Sequence, residues 1–282
     1  MTPDRSNRAW DAATDVASSA GVTLRSVRGM EDAERVAVVV EALWGPGQLP
    51  PSLIRALDYA GTVILGAEAE EELVGVVLGF PGLDEGLHMH SHMLGVLPGW
   101  QSRGVGLALK LGQRAACLDQ GLTEARWTYD PLVVRNAWFN IMKLGVVGTR
   151  MLRGFYGQMD DSINRDDRSD RFEVRWRLES ERVDRALRGE APEPAAGPVL
   201  LDWEDESDAP RPKATSASPE PGAVIRVPVD YHHMRRSHPT LGTAWRDASA
   251  QAFEACFRAG LVAAWVGRDG RYVFESAEEG SK

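Results

Sequence analysis

From Val22 onward the apolar residues recur with a spacing that switches between two and about 3.6, the mark of strands alternating with amphipathic helices. Val22, Leu24 and Val27 predict a first strand. Val36, Val39, Val40 and Leu43 then share one face of a helix over 31–43, which Gly45-Pro46-Gly47 ends. A second helix starts at Pro51, with Leu53, Ile54, Leu57 and Ala60 inward and Gly61 as a left-handed cap. Strands over 62–67 and 73–80 read as a hairpin about the acidic turn 68–72, and the next strand covers 88–96. A helix beginning near Val105 carries Leu107, Leu111, Ala115 and Leu118 inward and closes at Gly121. A strand over 125–129 is stopped by Asp130-Pro131, and a short helix over 135–144 follows, with Trp138, Ile141 and Met142 apolar. Stretches 146–156 and 172–178 make a last strand pair, and the charged connection 159–171 reads as an exposed loop. Residues 22–180 thus form a domain of α/β class (mixed α+β), a twisted mixed sheet flanked by helices.

The flanks differ in pattern. Residues 1–21 are polar and small, and read as a mobile tail or a short leading helix. Residues 181–222 include a Pro/Ser/acidic run, a linker or surface excursion with a brief strand at Val199-Leu200-Leu201. Residues 223–282 regain order as a β-α-β-β extension: a strand over 224–231, a helix over 241–259, and a hairpin about Arg268-Asp269-Gly270. In that helix Trp245, Ala248, Ala252, Phe253 and Cys256 fall on one side. Some 60 residues are too few for a secure core of their own, so the extension is expected to dock on the first domain or to pair across a homodimer.

Composition narrows the picture. At 43% hydrophobic residues the chain has ample material for a core, and a formal charge of −9 without a basic block argues against nucleic acid as a partner. A cationic or small neutral partner fits better. The two cysteines, Cys117 and Cys256, read as reduced core residues. Neither a leader-like apolar region nor a run of roughly 18 apolar residues occurs, which points to a cytoplasmic protein with no membrane span.

The chemistry concentrates between His88 and Leu118. There a strand passes through Leu97-Pro98-Gly99-Trp100 into Gln101-Ser102-Arg103-Gly104-Val105-Gly106 at a helix start. Unpaired N–H groups and the positive helix end make such a join an anion site, and the expected ligand is a phosphate. His88, His90 and His92 alternate on the preceding strand and so face one way. With a reference pKa near 6.5 an imidazole suits a general base, while the plainer reading is a set of hydrogen-bonded residues in a half-buried sheet. H-x-H-x-H also fits strand-borne metal ligands, but no further Cys/His cluster nearby completes a set, so no metal is expected.

The order of elements, together with Gln101 to Gly106 at the strand-to-helix join, resembles the GNAT superfamily of acyl-CoA-dependent N-acetyltransferases, whose Q/R-x-x-G-x-G/A signature is matched in full. Asn136 through Lys143-Leu144-Gly145 is similar to that family's later N-x-x-A…KLGF segment. The runs SHMLGVLP, WTYDP and RNAWFN…KLG resemble a bacterial branch of larger acetyltransferases. Members of that branch carry a C-terminal extension with a W-R-x(6)-F-like helix, here Trp245-Arg246 to Phe253.

The resemblance implies a GNAT-like sheet and acetyl-CoA, or another acyl-CoA, as co-substrate. Its pyrophosphate would lie on Gln101, Ser102, Arg103, Gly104, Val105, Gly106 and Leu107, where the glycines allow close backbone approach. Its pantetheine would run beside Leu94, Gly95 and Val96, one of whose N–H groups would polarise the thioester carbonyl. Asn136 would bond the pantetheine or a bridging water, or else cap its helix. His90, with His92 beside it, would be the base, directly or through water. His88 and Asp130 would meet the acceptor, Asp130 otherwise capping the following turn. Where the family places a tyrosine acid this chain has Ile141, a departure. Either Tyr129 or Tyr156 supplies that proton, or water does, or no amine is acetylated. The implied activity is direct transfer of the acyl group to an amine of a small molecule or peptide. The alternative is a non-catalytic acyl-CoA-binding or regulatory module.

Overall fold

The N-terminal stretch is a full helix, α1 (Pro3–Ser19), in the computed structural model, which describes residues 3–157, 167–203 and 209–277. Two compact units divide the chain, Met1–Arg126 and Trp127–Lys282, so the boundary falls well before the change in composition at residue 180. In the first unit the sheet order is β1 (Thr23–Ser26), β2 (Val63–Ala69), β3 (Glu72–Gly82), β4 (His88–Val96) and the start of β5 (Glu124–Tyr129). Each pair is antiparallel except β4 with β5.

Helices α2 (Gly29–Trp44) and α3 (Pro51–Tyr59) pack through Val36, Val40 and Ile54 onto Val76 and Leu78 of β3. Helix α4 (Val105–Asp119) is buried on more than the predicted stripe: Ala108, Leu109 and Cys117 join Leu111, Ala115 and Leu118, whereas Leu107 is only half-buried. The reason is α1, whose alanines at positions 9, 13 and 17 cover α4 closely, while Trp10 Nε1 donates to Asp119 at 2.7 Å. The acidic turn is narrower than 68–72. Arg35 (2.6 Å) and Arg25 (3.3 Å) hold the Glu68 carboxylate and draw that residue into β2. This leaves Glu70 and Glu71, with φ of 49° and 67°, as a two-residue turn of the hairpin type.

In the second unit Trp127 to Tyr129 complete β5, and the strand order continues β7 (Arg171–Arg177), β6 (Val147–Leu152), β11 (Leu261–Val266), β12 (Arg271–Ser276), β10 (Ala223–Arg226), β8 (Val199–Trp203) and β9 (Pro212–Ala214). The extension docks on its own chain: β11 pairs with β6 at Ala263↔Gly148. The 181–222 stretch is more than a linker, since it forms helix α6 (Glu181–Leu187) as well as β8 and β9. The strand over 224–231 is cut to β10 because Asp230 accepts the His233 N–H (2.9 Å) and starts α7 (Tyr231–Ser237).

Helix α8 (Pro239–Arg258) buries Gly242, Trp245, Arg246, Ser249, Phe253 and Cys256, a stripe that includes an arginine and leaves Ala248 and Ala252 half-buried. Arg246 forks onto Asp130 (2.7 and 2.8 Å) and also pairs with Asp167. Asp167 further engages Arg235 (2.9 Å) and the Tyr231 hydroxyl (3.1 Å). The charged connection over 159–171 therefore ends in a buried network rather than an exposed loop: Ser169 and Asp170 are buried, and residues 158–166 lie outside the described residues.

Removing one member of a buried, forked pair strands the other charge. Arg246→Leu is expected to lower unfolding free energy by about 3–5 kcal/mol in urea titrations. Arg153→Leu, at the half-exposed Arg153–Glu254 pair, should cost under about 1 kcal/mol.

Candidate functional site

Strand β4 changes character halfway along. Gly79 pairs with Ser91 and Leu78 with Met93, so His92 is the extra residue of a β-bulge. On its other side β4 pairs with β5 at Met89↔Ala125 and His90↔Arg126. Beyond that point, within the first unit, Leu94 to Val96 have a strand on the β3 side alone. Leu97 N–H donates to Val74 O (2.9 Å), and antiparallel alternation then turns the backbone groups of Leu94 and Val96 away from β3. Gln101 Nε2 donates to Val96 O at 3.0 Å, which ties the loop to the strand end and leaves the Val96 N–H outward.

The loop delivers the start of α4 beside this open edge. A short 3₁₀ turn, Pro98–Trp100, leads to Ser102 (φ 64°) and Gly104 (φ 97°), and α4 has no side-chain cap. The N–H groups of Val105, Gly106 and Leu107 therefore lack intrahelical acceptors. A Cβ on Gly106 would meet only Val96 at 3.9 Å, so nothing inside the protein demands glycine there. Gly95 is different, because a Cβ would fall 2.4 Å from Leu43 and Trp44 at the end of α2. Gln101, Ser102 and Arg103 are exposed, and the Arg103 guanidinium lies 4.9 Å from the Trp100 ring.

His90 and His92 come together against Phe80: the ring centroids are 6.1 Å apart, and 5.1 and 5.6 Å from Phe80. Desolvation pulls the His92 pKa below 6.5, which keeps its imidazole neutral, the form a base requires. His88 separates from this pair. It is 5% exposed, its Nδ1 lies 2.8 Å from Gly86 O, and its ring fills the space a side chain at Gly82 would need. That contact gives it the task of holding the β3–β4 connection instead of meeting an acceptor.

Ser91, beside the bulge, points into α4. Its hydroxyl donates to Gln113 Oε1 (2.8 Å) and accepts from Lys110 Nζ (3.0 Å), which also donates to Gln113 (2.7 Å). Sequence reading missed this cluster, and its one signal was a lysine among the apolar positions of α4.

In the second unit Tyr129 is buried, its ring centroid 5.9 Å from that of Phe172 in an edge-to-face arrangement, and burial raises its pKa strongly. Tyr156 is exposed, with its hydroxyl 3.3 Å from Thr128 Oγ1 on β5. Asp130 accepts the Leu132 N–H (2.9 Å) and has both oxygens on Arg246, so it caps the turn and is already paired. Asn136 is exposed, but the cap residue of α5 (Val134–Trp138) is Val133; Asn136 contributes its carbonyl to Asn140 Nδ2 (2.8 Å). A π-helical turn, Phe139–Lys143, follows and leaves Ile141 fully buried. Among the described residues no three His, Cys, Asp or Glu side chains group as metal ligands, and no helix is long and apolar enough to cross a membrane.

Residues 34–129 match the acetyltransferase (GNAT) family. This stretch is a GNAT acetyltransferase domain. No curated protein matches the chain. Among solved structures, it is similar to Arabidopsis thaliana Naa50 in complex with the bisubstrate analogue CoA-Ac-MVNAL, at 18% identity over 55% of this chain and 97% of that one, with a TM-score of 0.44. It is also similar to the ribosomal-protein-S18-alanine N-acetyltransferase from Escherichia coli, at 14% identity over 56% and 95%, TM-score 0.43. Chaetomium thermophilum Naa20 with a bisubstrate analogue gives 18% identity over 60% and 90%, TM-score 0.45. The assignment rests on the matched residues, which include the whole of β4, the glycine loop and α4 of the GNAT domain.

Burial pulls the Lys110 pKa from 10.5 to about 7, with Cys117 beside it working the other way. An unfolded lysine keeps its proton to about 10.5, so folding releases a proton between these values and stability rises with pH across that window. In urea titrations between about pH 7 and 10, the wild type should gain stability relative to Lys110→Met by up to one proton's linkage. Parallel curves would contradict this.

Proposed function

We propose that the GNAT domain transfers an acyl group from acetyl-CoA, or another acyl-CoA, directly to the amine of a small molecule or peptide in a ternary complex, in the cytoplasm. The observation that carries this reading is the open β4 edge at Leu94 to Val96, ending beside the uncapped start of α4. A pantetheine amide chain suits a strand edge with outward N–H and C=O groups. A pyrophosphate suits the N–H groups of Val105 to Leu107, with Arg103 flanking. The outward Val96 N–H supports an oxyanion contact for the thioester carbonyl.

His90 is proposed as the base, directly or through water, with His92 alongside it. Of the two tyrosines, the exposed hydroxyl of Tyr156 favours it as proton donor over Tyr129, and Asn136, being exposed, remains open to a pantetheine or water contact. Asp130 and His88 are committed to intramolecular contacts, which leaves acceptor recognition to other groups. One observation favours the second reading, a non-catalytic acyl-CoA-binding or regulatory module: Ile141 is buried where the family's tyrosine acid stands.

Release of CoA in a panel of amines and amino acids tests the reading. His90→Ala should lower kcat by about 10²–10⁴ with acetyl-CoA affinity retained, and Tyr156→Phe should lower kcat without raising KM for acetyl-CoA. Because the His92 pKa is depressed, its protonation sets in only below pH 6.5, and any acid limb that it causes lies below that value and disappears in His92→Ala. Tight acetyl-CoA binding without CoA release to any amine would favour the regulatory module.

A further inference from the structure

A cavity of about 390 Å³ lies within the second unit, walled by α6, the 191–194 segment, β11 and β12. Its most unusual lining group is Arg182. This guanidinium is largely buried, donates Nε–H to Gly145 O (3.1 Å) and an Nη2–H to Ala264 O, and has no carboxylate within ion-pair distance among the described residues. Desolvation pulls its pKa down to about 10 despite the field of Glu275. A buried cation held by carbonyl dipoles alone is costly, and an anion beside it offsets the cost.

A second arginine, with its side chain 40% exposed, adds to this. Arg185 lies one turn along α6 and lines the same cavity, and its Nε is buried with no hydrogen-bond partner; its ion pair with Glu181 is a loose 4.0 Å. Apart from Glu275, the other side chains of the lining are apolar, among them Trp265, Pro192, Pro194 and Ile141. Glu275 is the acid of the lining, so the cavity carries a net charge of one positive unit from two arginines and one glutamate.

We propose that this cavity is a binding site for a small organic monocarboxylate, whose anionic end is held by Arg182 and Arg185 and whose apolar body lies against Trp265 and the two prolines. Arginine N–H groups donate to carboxylate oxygens; with the Nε–H and one Nη2–H of Arg182 already on carbonyls, its Nη1 and the Arg185 guanidinium supply the remaining donors. The volume falls in the range of small-molecule sites. The apolar walls exceed what an inorganic anion needs, and Glu275 works against a dianion. None of the groups proposed to hold the anion is assigned to CoA or to acyl transfer, although Ile141 of the lining occupies the position of the family's tyrosine acid.

Calorimetric titration of the full chain with benzoate, benzamide and inorganic phosphate tests the proposal. Saturable heat with benzoate is expected, absent or much weaker with benzamide. Arg185→Gln should weaken benzoate about tenfold, whereas Glu275→Gln should tighten it. The melting temperature without ligand reports whether each variant is folded, and if Arg185→Gln is not, the benzamide and Glu275→Gln arms decide. Absence of benzoate binding, equal binding of benzamide, tighter binding of phosphate than benzoate, or loss of affinity in Glu275→Gln would each overturn the assignment.

Discussion

The GNAT domain depends on one strand losing a neighbour. Strand β4 is paired on both sides as far as His90, bulges at His92, and continues to Val96 with pairing on the β3 side. A strand edge inside a protein is ordinarily a liability, because its N–H and C=O groups need partners. Here the edge ends at Val96, and the chain then turns to Gly104, whose left-handed backbone starts α4 without a side-chain cap. Two sets of unsatisfied N–H groups, one from a strand and one from a helix, therefore lie in sequence along a single run of chain. Behind the bulge the bonds among Ser91, Lys110 and Gln113 fix the strand to α4, so the opening is held from its buried side.

Much of this was legible in the sequence, and for physical reasons. The bounds of β4 and the start of α4 follow from alternation, the Leu97-Pro98-Gly99 break and the glycines at 104 and 106. The bulge was not legible, since period-two counting treats His88, His90 and His92 alike, whereas the structure keeps two together and turns His88 onto Gly86. The Lys110 cluster was hidden because an amphipathic stripe sorts residues by polarity, and α4 is covered on a second side by α1, which the composition of residues 1–21 disguised. The burial of Ile141 agrees with its place among the apolar positions of that helix, whereas the π-helical turn Phe139–Lys143 is one that no spacing rule applied to the sequence would produce.

The second unit shows how polar residues in a weakly patterned region can still build a core. The stretch 181–222 reads as a linker by its prolines and acids, yet it supplies α6, β8 and β9. Likewise Arg246, which breaks the apolar stripe of α8, is the centre of the network that holds Asp130 and Asp167. In both places the sequence pattern pointed to solvent because the partners are far away in the chain: Arg246 and Asp130 meet only through the fold.

The account stands or falls on whether the N–H groups at the start of α4 receive a phosphate. Gly106 is the place to ask, because a Cβ there meets only Val96 at 3.9 Å and the protein itself has room for it. Calorimetric titration of acetyl-CoA into the wild type and Gly106→Leu, with melting temperatures measured alongside, is the most direct test. The prediction is saturable binding by the wild type and a loss of at least about tenfold in a variant that melts normally. Equal affinity in Gly106→Leu, or no binding of acetyl-CoA by the wild type, would contradict the account.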